Sequence, residues 1–293
     1  MIKQKINLPT VTNPNPTNGK TSVVTVPGGY RVHQILLSIT ADTGKNLPIG
    51  NWIGDIRVKL GGKVQRLHSA AELNKINQTN GSTYAAVTVG ASGANYGQVI
   101  PIYLAEPWRN DNTQGEFLAW NTSSSKLLEV EIDCNGAPTT DTTAVISVSA
   151  MAIVDGSQQP GSDKTGGLIA KIFRSDFAGA ANLDITTLDK RDIYQSFHIV
   201  ASDLGDTAAR ALVDKVILKA NGVTFHELTK ANNSAYLAQV NMAAQFDYDL
   251  VLDSDDPLQS GLNANGLSDL QLRIQKSGTA TIRVLSQRLG SPE

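Results

Sequence analysis

Cysteine is almost absent from this chain of 293 residues, and familiar catalytic signatures are absent as well. The single cysteine, Cys134, excludes an intrachain disulfide framework and a cysteine-based zinc site. No Gly-x-Ser-x-Gly, P-loop or dinucleotide-binding fingerprint occurs, and Gly90, Gly93 and Gly97 are not followed by a helical pattern. The sequence contains no convincing catalytic constellation, and we predict a protein that is not an enzyme.

Excess charge and long apolar runs are also lacking. The formal net charge is -2, which indicates no broad basic surface for nucleic acid. The longest apolar run, residues 144–154, is interrupted by serines and is shorter than the roughly 20 residues of a membrane helix. Residues 1–5 lack the apolar core of a secretory signal. These features favour a protein made in a reducing cytoplasm, without specific nucleic-acid binding.

A duplicated segment organises the rest of the chain, since residues 56–76 have a similar counterpart at residues 216–236. The first copy opens with Ile56, Val58 and Leu60 alternating with basic residues. A period of two is typical of a strand with one buried face. Each copy is predicted to contain a strand, a tight turn and a short helix.

The turn and the helix of the first copy have specific local signals. Gly61-Gly62 supplies the positive φ angles that a two-residue hairpin-type turn requires. Ser69 and Glu72 have the spacing of a capping box, which predicts that a short helix starts there. In the second copy Asn221-Gly222 predicts the turn, and a helix is expected to begin at residues 225–228.

Further pairs of strand-like segments follow one order in both halves of the chain. They are residues 2–6 and 168–173, 21–26 and 183–188, 30–39 and 193–201, 126–132 and 269–274, and 143–154 and 279–287. Residues 84–89 and 99–104 are predicted as two more strands of the first half. We predict a first domain at residues 1–158, a Gly-containing linker at 159–167 and a second domain at 168–293.

The fold class follows from this pattern of elements. About eight strands per half, no alternation of strands with helices and one short helix in each half indicate an all-β protein. Hydrophobic residues make up 41% of the chain, enough for a core in each half. We predict two tandem antiparallel sandwiches of the jelly-roll or Greek-key type.

Four histidines are the first candidates for a site, at His33, His68, His198 and His226, two in each half. They could serve as metal ligands or bases, but no His-x-His pair of the kind seen in cupin metal sites occurs. Packing at roughly matching positions of two related domains is the favoured interpretation, and we assign no metal ligand and no catalytic residue.

Acidic residues are densest from Asp247 to Asp256, and oxygen-rich loops can bind calcium. The segment 253–257 lacks the turn glycine and the distal glutamate of an EF-hand. A solvated loop is therefore favoured, and a structural calcium ion is the alternative. No other cofactor is predicted.

The two tandem halves, each with a strand, a Gly-Gly or Asn-Gly turn and a short helix (residues 56–76 and 216–236), resemble a known family. They look like the double jelly-roll major capsid proteins of tailless, internal-membrane icosahedral bacteriophages, most of all the corticovirus-like group. The resemblance spans nearly the whole chain. It implies two eight-stranded jelly rolls with no catalytic motif.

The resemblance also implies a set of partners and a location. Three copies would form a pseudo-hexagonal capsomer, and neighbouring capsomers would tile an icosahedral shell over an internal lipid membrane. Minor vertex and membrane proteins of the virion would be further partners. The irregular, proline-containing arm at residues 8–20 and the tail after Leu289 are expected to reach a neighbouring copy, because such segments are poorly suited to fold on themselves.

Two other functions stay open. Two jelly rolls side by side also occur in peptide N-glycosidases, although the sequence shows no evident acidic and aromatic cleft. A carbohydrate-binding module of a phage fibre would need Trp52, Trp108 and Trp120, which are more simply core and rim residues.

Overall fold

The computed structural model describes most of the chain, with gaps at several loops. The described residues are 3–17, 19–41, 49–80, 96–108, 116–123, 126–135, 145–156, 168–178, 182–201, 212–253, 261–278 and 280–293. The predicted strand at 84–89 and the predicted linker at 159–167 lie outside them. The proposed domain boundary therefore stays a prediction.

Strands dominate the described part, and two helices accompany them. The strands are β1 (Gln4–Leu8), β2 (Val11–Thr12), β3 (Thr21–Val26), β4 (Tyr30–Ala41), β5 (Ile53–Leu60), β6 (Lys63–Ser69), β7 (Tyr96–Tyr103), β8 (Trp120–Asn121), β9 (Leu128–Cys134), β10 (Ile146–Gly156), β11 (Ile169–Phe177), β12 (Asn182–Ile185), β13 (Ile193–Ala201), β14 (Val213–Ala220), β15 (Val223–Thr229), β16 (Tyr248–Val251), β17 (Leu262–Asn263), β18 (Leu270–Lys276) and β19 (Ile282–Gly290). The helices are α1 (Ala70–Thr79) and α2 (Lys230–Gln239), and a 3-10 turn spans Ile49–Asn51.

The chain divides into two compact units. Unit 1 comprises Met1–Asn74, Tyr84–Ala170 and Pro292–Glu293, and unit 2 comprises Lys75–Thr83 and Lys171–Ser291. The division passes through α1 and through the start of β11.

Unit 1 contains two four-strand arrangements, in the orders β1-β10-β4-β7 and β6-β5-β9-β3. All of their described pairings are antiparallel. The short strands β2 and β8 add to the margins, β2 on β3 and β8 on β4. Residues of β9 alternate strictly between buried and half-buried, because one sheet face forms the core and the other meets solvent.

Unit 2 repeats this arrangement strand for strand. Its orders are β11-β19-β13-β16 and β15-β14-β18-β12, and its described pairings are also antiparallel. Each of the eight strands thus has a counterpart at the same place in unit 1, for example β1 and β11, or β6 and β15. Tyr194, Phe197 and Tyr248 are among the large fully buried side chains of its core. The predicted all-β double jelly roll is confirmed.

The duplicated segment has one more strand than we predicted. After Gly61-Gly62 the chain forms β6 before α1 begins, so each copy is a hairpin followed by a helix. The prediction that a helix begins at residues 225–228 is wrong, since Phe225 and Leu228 lie in β15 and α2 starts at Lys230. Pairing with β14 through the backbone overrides the apolar spacing of three that had suggested a helix.

The two turns and the capping box are confirmed. Gly61 and Gly62 have φ values of 60° and 80°, and Asn221 and Gly222 have 49° and 78°. Two consecutive positive φ values match the twist of a hairpin. The backbone N–H of Ser69 donates to Glu72 Oε2 at 2.7 Å, and the backbone N–H of Glu72 donates to Ser69 Oγ at 3.2 Å.

The described residues of the arm, 8–17 and 19–20, pack on unit 1, contrary to our expectation. Part of it forms β2 beside β3, the Val148 backbone N–H donates to Pro14 O at 2.7 Å, and Pro16 is buried. Ser22 Oγ donates to Asn13 O at 2.7 Å. Proline and asparagine shape an irregular segment here, and tertiary hydrogen bonds satisfy its backbone.

Candidate assembly interface

Strand β15 stands out because it exposes two large apolar side chains and lies at the end of its sheet. Its one strand neighbour in the described part of the chain is β14. Most of its residues are exposed, including Val223 at 59% and Phe225 at 55%. A strand edge that combines unpaired backbone with apolar side chains pairs readily with another chain. This edge is therefore a candidate contact surface.

Strand β1 is the corresponding end of a sheet in unit 1. Its described strand neighbour is β10, and Gln4, Lys5 and Asn7 are exposed. Beside it, Lys3 Nζ lies 2.6 Å from Glu116 Oε1 in a surface ion pair. Hydrogen bonding to Lys3 lowers the pKa of Glu116, so this carboxylate is charged near neutral pH.

Strand β6, the counterpart of β15, is much less accessible. Gln65 is fully buried and Arg66 is 4% exposed. The Arg66 guanidinium donates to Tyr103 O and to Ala170 O, the latter at 2.8 Å, and its Cζ lies 5.2 Å from the centre of the Trp120 ring. Burial lowers the pKa of Arg66 to about 10, which leaves it a cation at neutral pH.

The histidines are in the core or half-buried, and the structure separates them. His33 Nε2 lies 2.8 Å from Asp155 Oδ2, beside a cavity of about 150 Å³ lined also by Tyr103 and Glu106. Burial lowers the pKa of His33, against the opposing effect of Asp155. His68 is fully buried, with Nδ1 3.2 Å from Ser69 O.

His198 belongs to a buried polar cluster that the sequence did not reveal. Its Nδ1 lies 2.6 Å from Asp249 Oδ1, and its Nε2 lies 3.0 Å from Ser196 Oγ. The backbone N–H groups of Gln245 and Phe246 donate to Asp249 Oδ2 at 2.8 and 3.0 Å. No sequence motif signals the cluster, because Asp249 is 51 residues from His198 and approaches it only through the pairing of β13 with β16.

The order of atoms in this cluster is that of a Ser-His-Asp hydrolase site, but the environment is different. His198 and Asp249 are fully buried, and Ser196 is 2% exposed. Ser196 Oγ also donates to Gln287 Oε1 at 2.8 Å. A substrate has no approach to a nucleophile in this position, so the cluster joins strands in the core of unit 2.

The histidines do not occupy equivalent positions of the two units. Counted from the two turns, His226 corresponds to Arg66, and His68 corresponds to Leu228. His68 and His226 thus lie on corresponding strands, two positions apart, so their places match only roughly, as predicted, and packing stays the favoured interpretation. Within the described residues no group of three or more His, Cys, Asp or Glu side chains could bind a metal ion.

The acidic segment considered for calcium is only partly described. Asp255 and Asp256 lie outside the described residues. Asp247 Oδ2 accepts from the Ala201 backbone N–H at 2.8 Å, and Asp253 Oδ2 accepts from Gln195 Nε2 at 3.1 Å. These carboxylates, like Asp249, are used in holding unit 2 together.

The tryptophans are core and rim residues, as predicted. Trp52 and Trp120 are fully buried. Trp108 is half-buried and meets the Tyr103 ring edge-on, with the ring centroids 5.6 Å apart. No helix in the described part of the chain has the length and apolar character needed to cross a bilayer.

Comparison with protein families is decisive for the identity of the chain. Residues 6–155 match the viral coat protein P2 N-terminal domain, and residues 169–292 match the viral coat protein P2 C-terminal domain. The chain belongs to the viral coat protein P2 family. It is therefore a major capsid protein located in the capsid of a virion, and a structural protein rather than an enzyme. Neither the glycosidase nor the fibre-module alternative is retained.

Solved structures share the fold of this coat protein over its whole length. The major capsid protein P2 of bacteriophage PM2 is 19% identical, with a TM-score of 0.76, and the match covers 99% of this chain and 97% of that one. The major capsid protein of Sulfolobus turreted icosahedral virus is 13% identical, with a TM-score of 0.71 and coverage of 100% and 98%.

A third match is the capsid of the virus PBCV-1, at 12% identity and a TM-score of 0.64, with coverage of 99% of this chain and 95% of that one. At these identities the likeness shows the fold alone. A search of curated proteins finds no match.

Proposed function

We propose that this coat protein forms homotrimeric, pseudo-hexagonal capsomers that tile an icosahedral shell over an internal lipid membrane. Minor vertex and membrane proteins of the virion are the further partners of this proposal, and no specific nucleic acid is bound. The observation that carries it is the strand-for-strand duplication of the two units. We further propose that residues 1–158 and 168–293 are the two jelly-roll domains and that 159–167 links them.

Duplication supports a trimer for a geometrical reason. Three copies of a chain with two similar units present six similar sides, and six similar sides pack into a hexagonal net. A shell also needs rigid building blocks with extensive lateral surfaces. Antiparallel sandwiches with buried cores and polar outer faces meet that need.

Charged side chains on one outer sheet face support the lateral role of unit 1. Arg57 Nε lies 3.1 Å from Glu131 Oε2, and Arg57 also contacts Asp133. Lys59 contacts Glu131 from the same strand face. Ion pairs of this kind keep the sheet face hydrated in the free protein, and a polar, hydrated surface can become part of an assembly interface.

Light scattering of the purified full-length protein tests the trimer. We expect a mass three times the 31.2 kDa of the chain at micromolar concentration. A protein that stays monomeric at high concentration and is missing from purified particles would exclude the capsomer. Electron cryomicroscopy of particles before and after detergent extraction tests the internal membrane, which should appear as a double layer beneath the shell.

A further inference from the structure

Strand β15 is an edge strand that exposes two large apolar side chains. Val223 and Phe225 are 59% and 55% exposed, and in the described part of the chain β15 pairs with no strand other than β14. Native proteins blunt such edges with charge, proline or a covering segment, because an open apolar edge leads to aggregation. Strand β15 contains no proline and one charged residue, Glu227, and its two exposed apolar residues, Val223 and Phe225, lie next to the turn.

The counterpart of this edge in unit 1 is strand β6, and other residues of unit 1 cover it. Phe225 corresponds to Gln65, because each is the unpaired bulge residue of its hairpin. The bulge lies opposite Leu218 and Lys219 in one hairpin and opposite Val58 and Lys59 in the other. Gln65 is fully buried, and its Oε1 accepts from the Glu293 backbone N–H at 3.4 Å. Beside it, Arg66 donates to Ala170 O. Ala170 and Glu293 both belong to unit 1.

Ala170 is the second residue of β11, and the counterpart of β11 is β1. By that equivalence the segment suited to cover β15 is a strand like β1. Strand β1 is itself at the end of a sheet, with Gln4, Lys5 and Asn7 exposed. Its basic Lys5 is also opposite in charge to Glu227 of β15, which is paired with Lys215 and keeps 47% of its side chain exposed.

We propose that β1 of one copy covers β15 of a second copy of this chain, with Val223 and Phe225 at the centre of the contact. The inference deepens the proposed capsomer and rests on it. The contact joins two different surfaces, so it is head-to-tail and generates a ring when the rotation closes. Three copies then cover three β15 edges and use three β1 strands.

Substitution of one exposed residue tests the contact. Phe225→Lys places a charge at the centre of the edge without opening the core of unit 2. We expect the trimer dissociation constant to rise at least about tenfold, as for a central interface residue. The matched control is Val99→Lys, on β7 at 52% exposure, which should leave the trimer intact. Circular dichroism melting checks that both variants are folded.

Cross-linking gives a second, independent readout. The double variant Lys5→Cys/Phe225→Cys should form intermolecular disulfides and run as a covalent trimer without reductant, whereas Lys5→Cys/Val99→Cys should remain monomeric on the gel. Native Cys134 is buried and does not compete.

The outcomes separate this inference from the proposed function. A monomeric wild-type protein would exclude the capsomer and this contact together. A trimeric wild type would support the capsomer. Two results would then overturn the β1–β15 contact alone. The first is a trimer dissociation constant that rises equally in Phe225→Lys and Val99→Lys. The second is a trimer unaffected by Phe225→Lys together with the absence of a disulfide between positions 5 and 225.

Discussion

At the scale of residues, hydrogen bonds among buried and half-buried polar side chains determine the protonation of His226. His226 of β15 is paired with Leu218 of β14, and its Nε2 lies 2.7 Å from Tyr248 Oη. The Tyr248 hydroxyl has one proton and donates it to Leu228 O at 3.0 Å. His226 Nε2 must therefore be the donor to the tyrosine, which fixes the neutral tautomer of the ring.

The pH dependence of stability follows from this histidine. Burial lowers the pKa of His226 to about 4 from the ordinary value of 6.5. Between those two values the unfolded chain binds more protons than the folded one, so stability present above pH 6.5 is lost as the pH falls toward 4. We expect the melting temperature to fall across this window, and to fall less in His226→Gln.

Thermal melts at several pH values compare the two proteins directly. Because burial also lowers the pKa of His33, part of the loss should persist in the variant. An identical pH slope in wild type and His226→Gln would show that His226 ionises normally in the folded protein.

The His198–Asp249 pair should contribute to stability. His198→Ala leaves a fully buried carboxylate with only its backbone donors, and we expect unfolding to become easier by about 3 kcal/mol. Urea unfolding of His198→Ala, Asp249→Ala and the double variant forms a thermodynamic cycle. Strictly additive effects would mean that the two side chains do not interact.

At the scale of elements, the two helix starts differ in a way that can be measured. Ser69 and Glu72 exchange two hydrogen bonds at the start of α1. At the start of α2, Thr229 Oγ1 accepts from the Asn232 backbone N–H at 3.4 Å, a longer bond. The capping box satisfies two helix N–H groups reciprocally, whereas the single cap satisfies one.

We therefore expect Ser69→Ala to lower the free energy of unfolding by about 1 kcal/mol, and Thr229→Ala to lower it by less. Denaturant titration of the two variants provides the comparison, each serving as the control of the other. Equal losses, or a larger loss at Thr229, would contradict the greater contribution of the capping box.

At the scale of the whole molecule, the arm at residues 8–20 changes the design of assembly experiments. An arm that only contacted a neighbour would make deletion of residues 1–20 a simple test of assembly. The structure uses β1 and β2 in the sheets of unit 1, so the deletion removes paired strands as well as a contact surface. Point substitutions on exposed edges separate assembly from folding, whereas the deletion combines them.

Stabilisation by a bound calcium ion can be tested on the whole molecule. Asp247, Asp249 and Asp253 accept hydrogen bonds from unit 2 itself. We expect the melting temperature to be the same with added calcium and with a chelator. A drop on chelation that calcium restores and magnesium does not would show a structural calcium ion.

Local chemistry and repetition determined much of this fold from the sequence alone. The Gly61-Gly62 and Asn221-Gly222 turns and the Ser69–Glu72 box act within a few residues, where side-chain type sets the backbone. Alternation along β3, β9 and β18 indicated strands whose bounds were found within two residues. The order of paired segments in the two halves indicated the duplication.

Tertiary structure alone decided the remaining features, because they depend on partners distant in the chain. Residues 63–69 and 223–229 have no clear strand pattern, and pairing with β5 and β14 makes them strands. The irregular arm is held by backbone hydrogen bonds to Thr25 and Val148, and the His198 cluster requires Asp249. Which of two corresponding edges is covered also depends on distant segments, since β6 meets Ala170 and Glu293, whereas β15 in the described chain meets solvent.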